Sequence, residues 1–193
     1  MSATTPLAIT LTIQLAPLVI NPPVWRRMLV SGDVSLRKLH HFIQAAMGWQ
    51  SYHLHEFKIG LRDFMPPDPE ETQAQALDDR KYKLRKLVEV GDRIRYHYDF
   101  GDDWEHVIAV EAIEPTHLDG TWCRVVDGEG ACPPEDVGGP HGYMQFLAAI
   151  RQQPLQQAGK EALKWAGGEF DPALFDWRAA DAAVVRICNN FWG

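Results

Sequence analysis

Three separate segments of this sequence supply histidine or carboxylate side chains that could bind a metal ion. The candidates for binding a divalent metal ion are His53, His55, Asp99, Asp102, Asp103, His106, Glu135 and Asp136. Mixed imidazole and carboxylate ligation suits zinc, manganese or iron, and a water molecule on such an ion can act as a nucleophile. One interpretation of the sequence is therefore a metal-dependent hydrolase or nuclease.

The histidines at positions 53 and 55 lie in a segment, 52 to 59, whose alternating pattern predicts a β-strand. Side chains two residues apart on a strand share a face, so these two imidazoles could bind one ion. Phe57 and Ile59 follow on the same face. That pattern fits the edge of a hydrophobic core equally well, and both interpretations stay open.

A second candidate site consists of aromatic residues. The sequence contains seven tryptophans, which is many for 193 residues and indicates an aromatic interior or a binding groove. The residues expected to line such a groove are Trp25, Trp49, Tyr98 and Trp104. No complete catalytic constellation accompanies them, which favours a binding module for a protein, peptide or nucleotide.

Two arginines, Arg26 and Arg27, follow Trp25 in a predicted strand. Their guanidinium groups could bind an anion. The alternative is a solvated strand face on which a guanidinium stacks against the indole ring.

The stretch from 96 to 106 carries residues of both candidate sites, and its alternation predicts a β-hairpin. A three-residue turn would pair Phe100 with Trp104 and Tyr98 with His106. The aromatic side chains then lie on one face, and acidic residues gather at the tip. His106 would be either a hydrogen-bonded core histidine or a ligand or general base at the edge of a cleft.

A segment rich in proline and glycine, 131 to 143, contains Glu135 and Asp136 and leads into a predicted helix. Helix N-termini can bind anions, but this segment lacks the Lys-Ser/Thr ending of a P-loop. Its two carboxylates would repel a bare phosphate, so the segment favours a cation or an amine. A rigid structural turn is the alternative.

The elements that must position these residues are predicted in the order typical of an α+β fold with a largely antiparallel sheet. Strands are expected at the start of 7 to 20, over 24 to 31, 52 to 59 and 121 to 127, and in the hairpin. One helix is expected after the second strand, between Ser35 and Gly48, and a helical C-terminal segment over about 140 to 190. The proline-rich, acidic stretch from about 61 to 81 predicts a long mobile loop. A chain of 193 residues is most simply a single domain.

Composition limits the classes of function. The net charge of −7 argues against non-specific nucleic-acid binding, which depends on phosphate neutralisation. No signal segment opens the chain, and no apolar run of about 18 residues predicts a membrane span. Three cysteines, Cys123, Cys132 and Cys188, form no C-x-x-C pair. We therefore expect free structural thiols in a reducing cytoplasm.

Three sequence blocks occur together in one order. They are residues 39 to 49 with His53-Leu54-His55-Glu56-Phe57; Tyr98-Asp99-Phe100-Gly101-Asp102 with Trp104 and His106; and Ala131-Cys132-Pro133-Pro134-Glu135-Asp136 with Gly138-Gly139 and Gly142-Tyr143. With Pro22-Pro23-Val24-Trp25-Arg26-Arg27, they resemble the plasmid pRi ORF-three-like family, some members of which are labelled insertion-element passenger proteins.

The resemblance spans about residues 7 to 188. It implies a single α+β domain with a largely antiparallel sheet, and no particular chemistry, because the family is functionally uncharacterised. The passenger label suggests mobile DNA, although the sequence shows neither a serine-recombinase nucleophile motif nor a basic helix-turn-helix. The predicted function is a binding or accessory module associated with prokaryotic mobile DNA elements, and the alternative is the metal-dependent hydrolase or nuclease.

Overall fold

A computed structural model of the protein describes residues 5 to 16, 23 to 67, 76 to 116 and 122 to 190. The strands are β1 (Leu7–Ala16), β2 (Trp25–Ser31), β3 (His55–Ile59), β4 (Arg62–Met65), β5 (Leu77–Asp78), β6 (Arg93–Tyr98), β7 (Trp104–Pro115) and β8 (Cys123–Glu129). The helices are α1 (Leu36–Met47), α2 (Gly139–Ile150), α3 (Gln157–Trp165) and α4 (Trp177–Asn189), and a short 3-10 helix spans Leu84–Lys86.

The strands form an eight-stranded sheet in the order β5-β4-β3-β6-β7-β1-β2-β8. Every described strand pair is antiparallel except β4 with β5, which is parallel. The predicted α+β class with a largely antiparallel sheet is confirmed. Among the helices of the described residues, none combines the length and the apolar character that a membrane crossing requires.

The hydrophobic core lies between the sheet and helix α1. Alternate side chains of β1, β6 and β7 point into it, as expected for strands with one buried face. Those with no exposed surface include Ile9, Leu11, Ile13, Ile94, Tyr96 and Ile108. The cysteines are free, and Cys123 and Cys188 are buried in this core.

Helix α1 is capped at its N-terminus by Ser35 and at its C-terminus by Gly48. The hydroxyl of Ser35 accepts a hydrogen bond from the backbone nitrogen of Lys38, and Gly48 ends the helix with a φ of 96°. Its apolar stripe, which includes Leu39, Phe42 and Ile43, is fully buried. The C-terminal end of α1 therefore lies over the sheet, close to the segment that leads to β3.

The central hairpin is present, but the predicted three-residue turn is wrong. Strands β6 and β7 pair Tyr98 with Trp104 and Tyr96 with His106. The connection therefore runs from 99 to 103, and Trp104 pairs two residues earlier than expected. Because a shift of two residues leaves side chains on their original face, all four of these side chains are still buried together.

Asp99 explains why the turn begins early. Its backbone φ of 57° ends the strand, and its Oδ1 accepts hydrogen bonds from the backbone nitrogens of Gly101 and Asp102 at 3.0 and 3.3 Å. Aspartate commonly organises turns in this way. Phe100 lies in the turn and is 44% exposed, so the prediction that every aromatic side chain of the hairpin points inward is wrong for this residue.

The segment from 61 to 81, expected to be a loop, contains β4 and β5. Strand β4 follows β3 through a tight turn, because Gly60 adopts a φ of 60° and Ile59 pairs with Arg62. The proline-rich and acidic middle of the segment, 68 to 75, lies outside the described residues. The strand expected over 52 to 59 begins only at His55, so residue 53 belongs to the segment that precedes β3.

Candidate functional site

Three of the predicted metal ligands meet at one end of the sheet. The Nε2 atom of His53 lies 3.0 Å from Oδ1 of Asp136 and 3.5 Å from Oδ2 of Asp99. One ligand atom from each residue lies within 4.8 Å of the other two. Asp99 is buried and Asp136 is exposed, so this cluster opens to solvent on the Asp136 side. We call these three residues the His-Asp-Asp cluster.

The backbone around the cluster is tightly specified. The backbone nitrogen of Asp99 donates a hydrogen bond of 2.9 Å to the carbonyl of Leu54, which holds the His53 segment beside the hairpin. Asp99 and Asp136 both adopt left-handed conformations, with φ values of 57° and 58°. Such conformations are uncommon for residues other than glycine, although aspartate tolerates them better than most. Residues held in this way often belong to functional sites.

The hairpin tip also packs against the loop that carries Asp136. Oδ2 of Asp102 accepts a hydrogen bond of 3.1 Å from the backbone nitrogen of Gly138. Gly139 adopts a φ of +67°, and a Cβ atom there would lie 2.2 Å from the backbone oxygen of Asp102. This close approach requires glycine. The indole Nε1 of Trp49 donates to the carbonyl of Pro133 at 2.9 Å, which fixes the other end of the loop.

A tyrosine and a glutamate lie beside the cluster. The hydroxyl of Tyr98 donates a short hydrogen bond to Glu135, and the second oxygen of Glu135 accepts one of 2.8 Å from the backbone nitrogen of Gln50. The rings of Tyr98 and His53 are 5.9 Å apart. Burial, with a further contribution from Glu135, raises the pKa of Tyr98 well above its usual value. The tyrosine therefore stays protonated at neutral pH and orients the glutamate next to the cluster.

A surface pocket of about 420 Å³ adjoins the cluster. Glu135 and Asp136 form part of its wall, and Gln50, Tyr52 and Trp165 form much of the rest. Tyr52 is 70% exposed. The pocket therefore combines two carboxylates with aromatic surface that a ligand could cover.

The predicted pairing of His53 with His55 at one ion is wrong, because only His55 lies on β3. His55 is buried, and its Nε2 lies 2.9 Å from Oδ2 of Asp79, while its ring stacks on His40 with 3.6 Å between centroids. Arg37 also contacts this carboxylate through two hydrogen bonds. Burial by itself would raise the pKa of Asp79, but the hydrogen bonds from His55 and Arg37 outweigh it and lower the pKa.

Two further predicted ligands, His106 and Asp103, lie away from the His-Asp-Asp cluster. His106 is a core histidine: its Nδ1 donates to the carbonyl of Tyr96 at 3.2 Å, its ring meets Trp49 edge-on, and burial lowers its pKa to about 4. Its interpretation as a ligand at a cleft edge is therefore wrong. Asp103 belongs to a second group of possible ligands, in which one atom each of His97, Asp103 and Glu105 lies within 4.8 Å of the other two. In this group Asp103 lies 2.8 Å from Nε2 of His97, and Glu105 is paired with Arg95.

The aromatic residues do not form the predicted open groove. Trp49, Tyr98 and Trp104 pack against one another, with ring centroids of Trp49 5.1 and 5.7 Å from the other two, and all three are buried. Trp25 lies on β2, and its Nε1 donates to Glu129 at 3.2 Å. Tyr98, whose ring centroid lies 5.9 Å from that of His53, connects this buried aromatic group to the His-Asp-Asp cluster, whereas Trp25 belongs to another part of the sheet.

Sequence reasoning missed Asp79 and Gln44. Asp79 follows a stretch without apolar periodicity, so nothing in the pattern indicated that it would be buried. Gln44 lies on the buried face of α1, where its Nε2 donates to the hydroxyl of Tyr96 at 2.9 Å. A polar residue within an otherwise apolar helix face was the available signal.

Comparison with known proteins agrees with the fold and the blocks described above. The family model described as plasmid pRiA4b ORF-3-like protein matches residues 8 to 179. The uncharacterized protein y4hQ of Sinorhizobium fredii (strain NBRC 101917 / NGR234) is 38% identical over 175 residues, which cover 89% of each chain. The crystal structure of MM3350, a protein of unknown function from Methanosarcina mazei Go1, is similar with a TM-score of 0.81 and 28% identity, over 91% of this chain and 98% of that one. The chain therefore belongs to the plasmid pRiA4b ORF-3-like protein family.

Proposed function

We propose that this protein binds a zinc, manganese or iron ion at His53, Asp99 and Asp136, and that it catalyses a hydrolytic reaction there. The observation that carries the proposal is the convergence of one imidazole nitrogen and two carboxylate oxygens within 4.8 Å of one another. These ligand types suit all three metals. Three protein ligands leave coordination positions for water and substrate.

Hydrolysis is the class of reaction that such a centre supports, because a bound metal ion lowers the pKa of water and polarises a substrate oxygen. Glu135 is next to Asp136 in the chain, and the hydroxyl of Tyr98 and the backbone nitrogen of Gln50 hold its carboxylate in place. We assign Glu135 the role of general base, since a carboxylate oriented beside the centre can accept a proton from water. The pocket lined by Tyr52 and Trp165 would hold the rest of the substrate.

Elemental analysis of protein purified without an affinity tag tests the metal site. We expect about one ion per chain in the unsubstituted protein, because three ligands from separate segments give a preformed site. His53→Ala and Asp136→Asn should each reduce the affinity for zinc by about tenfold or more. Added zinc or manganese should raise the melting temperature of the unsubstituted protein more than that of either variant.

The matched control is His141→Ala, because His141 is exposed and lies outside the cluster. It should keep the metal content of the unsubstituted protein. Protein that contains no stoichiometric metal, and whose melting temperature does not respond to zinc, manganese or iron, would rule the proposal out. Metal content unchanged by His53→Ala and Asp136→Asn would show that the ion binds elsewhere.

A binding or accessory module associated with mobile DNA is the second candidate function. Exposed apolar side chains flank the contact between Asp99 and Leu54: Tyr52 is 70%, Leu54 58% and Phe100 44% exposed. Such side chains often mark contacts with a protein or peptide. In a screen of peptides and nucleotides by thermal melting, a ligand whose effect is lost in the Leu54→Ser, Phe100→Ser double variant would favour this function, and the absence of any such ligand would count against it.

A further inference from the structure

A second cavity, of about 320 Å³, lies between the C-terminal end of α1 and the first half of α4. It shares only Gly48 with the pocket beside the His-Asp-Asp cluster. Its wall is mostly apolar and includes Ala45, Ala179, Ala180, Ala183, Leu174 and Phe175. Arg26 also lines this cavity, and among the described lining residues it alone has a positively charged side chain. We call it the Arg26 cavity.

The guanidinium group of Arg26 is held in one position. Its Nε donates to the carbonyl of Ala46 at 2.9 Å, and its Nη1 donates to the carbonyls of Trp25 and Glu129, each at 2.8 Å. Its Cζ lies 3.8 Å from the centroid of the Phe175 ring. The ring is itself fixed against β8, because a Cβ atom at Gly128 would come within 2.4 Å of it. For Arg26 the strand-face alternative with an indole partner is therefore wrong, because Arg26 points inward and stacks on Phe175. Arg27 is exposed on the strand and pairs with Glu111 at 2.6 Å.

In the part of the chain that the structure describes, no carboxylate forms an ion pair with Arg26. Only 2% of the residue is exposed, and within the described residues it forms no ion pair and its Nη2 donates no hydrogen bond. Burial lowers the pKa of Arg26 to about 10, so the group is charged at neutral pH. A buried charge whose partners are backbone carbonyls and one aromatic ring is still expensive, and an anion that pairs with it would recover much of that cost.

Neither of the other ionisable groups in the wall, Asp176 and Cys132, forms an ion pair with Arg26. Oδ1 of Asp176 accepts hydrogen bonds from the backbone nitrogens of Arg178 and Ala179, as the N-cap of α4, and Asp176 is exposed. The thiol of Cys132 is neutral at pH 7, because burial raises its pKa to about 12.

We propose that the Arg26 cavity binds a small organic monocarboxylate, whose carboxylate pairs with Nη2 of Arg26 and whose apolar body lies against the alanines of α4. The planar guanidinium fits a carboxylate, and charge-assisted hydrogen bonds of this kind are strong. The apolar wall supplies few further donors, so the cavity suits a carboxylate better than a phosphate, which needs several. A volume of about 320 Å³ is within the range of small-molecule sites.

Binding of hexanoate, compared with the neutral hexanamide, tests this proposal. In calorimetric titrations of the full chain we expect saturable binding of hexanoate, and at least about tenfold weaker binding of the amide, because the amide lacks the charge that pairs with Arg26. The Nε–H resonance of Arg26 should shift as hexanoate is added. Inorganic phosphate should not displace hexanoate.

Two substitutions on α4 provide the variant and its control. Ala179→Phe places a ring in the cavity and should weaken hexanoate binding by about tenfold or more, whereas Ala182→Phe, at an exposed position outside the cavity wall, should leave it unchanged. Both variants keep Arg26 and its backbone partners. Equal affinity for hexanoate and hexanamide, undiminished binding by Ala179→Phe, or an unmoved Arg26 resonance would overturn the proposal.

Discussion

The carboxylate of Asp102 accepts a hydrogen bond of 3.1 Å from the backbone nitrogen of Gly138, 36 positions further along the chain. This contact joins the hairpin tip to the loop that carries Asp136. The side chain of Asp99 belongs to the same tip, so the two carboxylates of the His-Asp-Asp cluster are positioned by one loop-to-loop interface. A substitution within this interface tests how much it contributes to stability.

Gly139→Ala should disrupt the interface. The added Cβ would lie 2.2 Å from the backbone oxygen of Asp102, at a residue whose φ is +67°. We expect the free energy of unfolding to fall by about 2–4 kcal/mol, because both a steric overlap and a strained backbone contribute. Urea denaturation gives this value. Gly60→Ala is the control, since its φ is +60° and no atom lies within 4 Å of the added Cβ; it should cost only about 1–2 kcal/mol. Equal losses would mean that the packing against Asp102 contributes nothing.

Tyr96→Phe should destabilise the protein through the groups it leaves unpaired. The hydroxyl of Tyr96 lies 2.9 Å from Nε2 of Gln44 and 2.7 Å from Nδ1 of His40, and all three residues are buried. We expect a loss of about 1–3 kcal/mol in the free energy of unfolding, measured by urea denaturation, because two buried polar atoms lose their partner. Tyr52→Phe removes an exposed hydroxyl and should change stability by less than about 0.5 kcal/mol. If the two variants lost equal stability, the buried network would have no special role.

Stability should decrease as the pH falls from about 6.5 to about 4. Burial lowers the pKa of His106 from its ordinary 6.5 to about 4 in the folded protein, and burial also lowers the pKa of His40. Below pH 6.5 the unfolded chain therefore binds protons that the folded chain does not, which favours unfolding. For His106 this linkage amounts to about 3 kcal/mol at pH 4. Denaturant titrations across this pH range measure the decrease.

His106→Phe should flatten this pH dependence by the contribution of one histidine. The exposed His141, replaced by phenylalanine in the same way, should leave the dependence unchanged. A His106→Phe protein whose stability falls with pH as steeply as that of the unsubstituted chain would contradict the assignment. Carboxylates with lowered pKa values, such as Asp181, lose their contribution only below about pH 4, so they affect a different part of the titration.

Periodicity predicted the fold class and the buried faces of the central strands, because period two is unaffected by a register shift of two residues. This is why Tyr98, Trp104 and His106 are buried as expected although their predicted pairing was wrong. The turn was not predictable in the same way. The turn depends on the left-handed conformation of Asp99 and on the hydrogen bonds that its side chain accepts within the turn. Neither feature can be recognised from the spacing of apolar residues.

The sequence predicted which residues could act as metal ligands, but not which of them would meet at one site. The chain supplies eight plausible ligands in three blocks, and the structure brings together His53, Asp99 and Asp136. That selection depends on contacts between segments far apart in sequence. It also depends on the point at which β3 begins: had the strand started at residue 52 as expected, His53 would have faced the same side as His55.

At one border of the described sheet, strand β5 consists of only Leu77–Asp78. Two residues leave almost no backbone for a strand from another molecule to pair with. This end of the described sheet is therefore a poor template for edge-to-edge addition of another molecule.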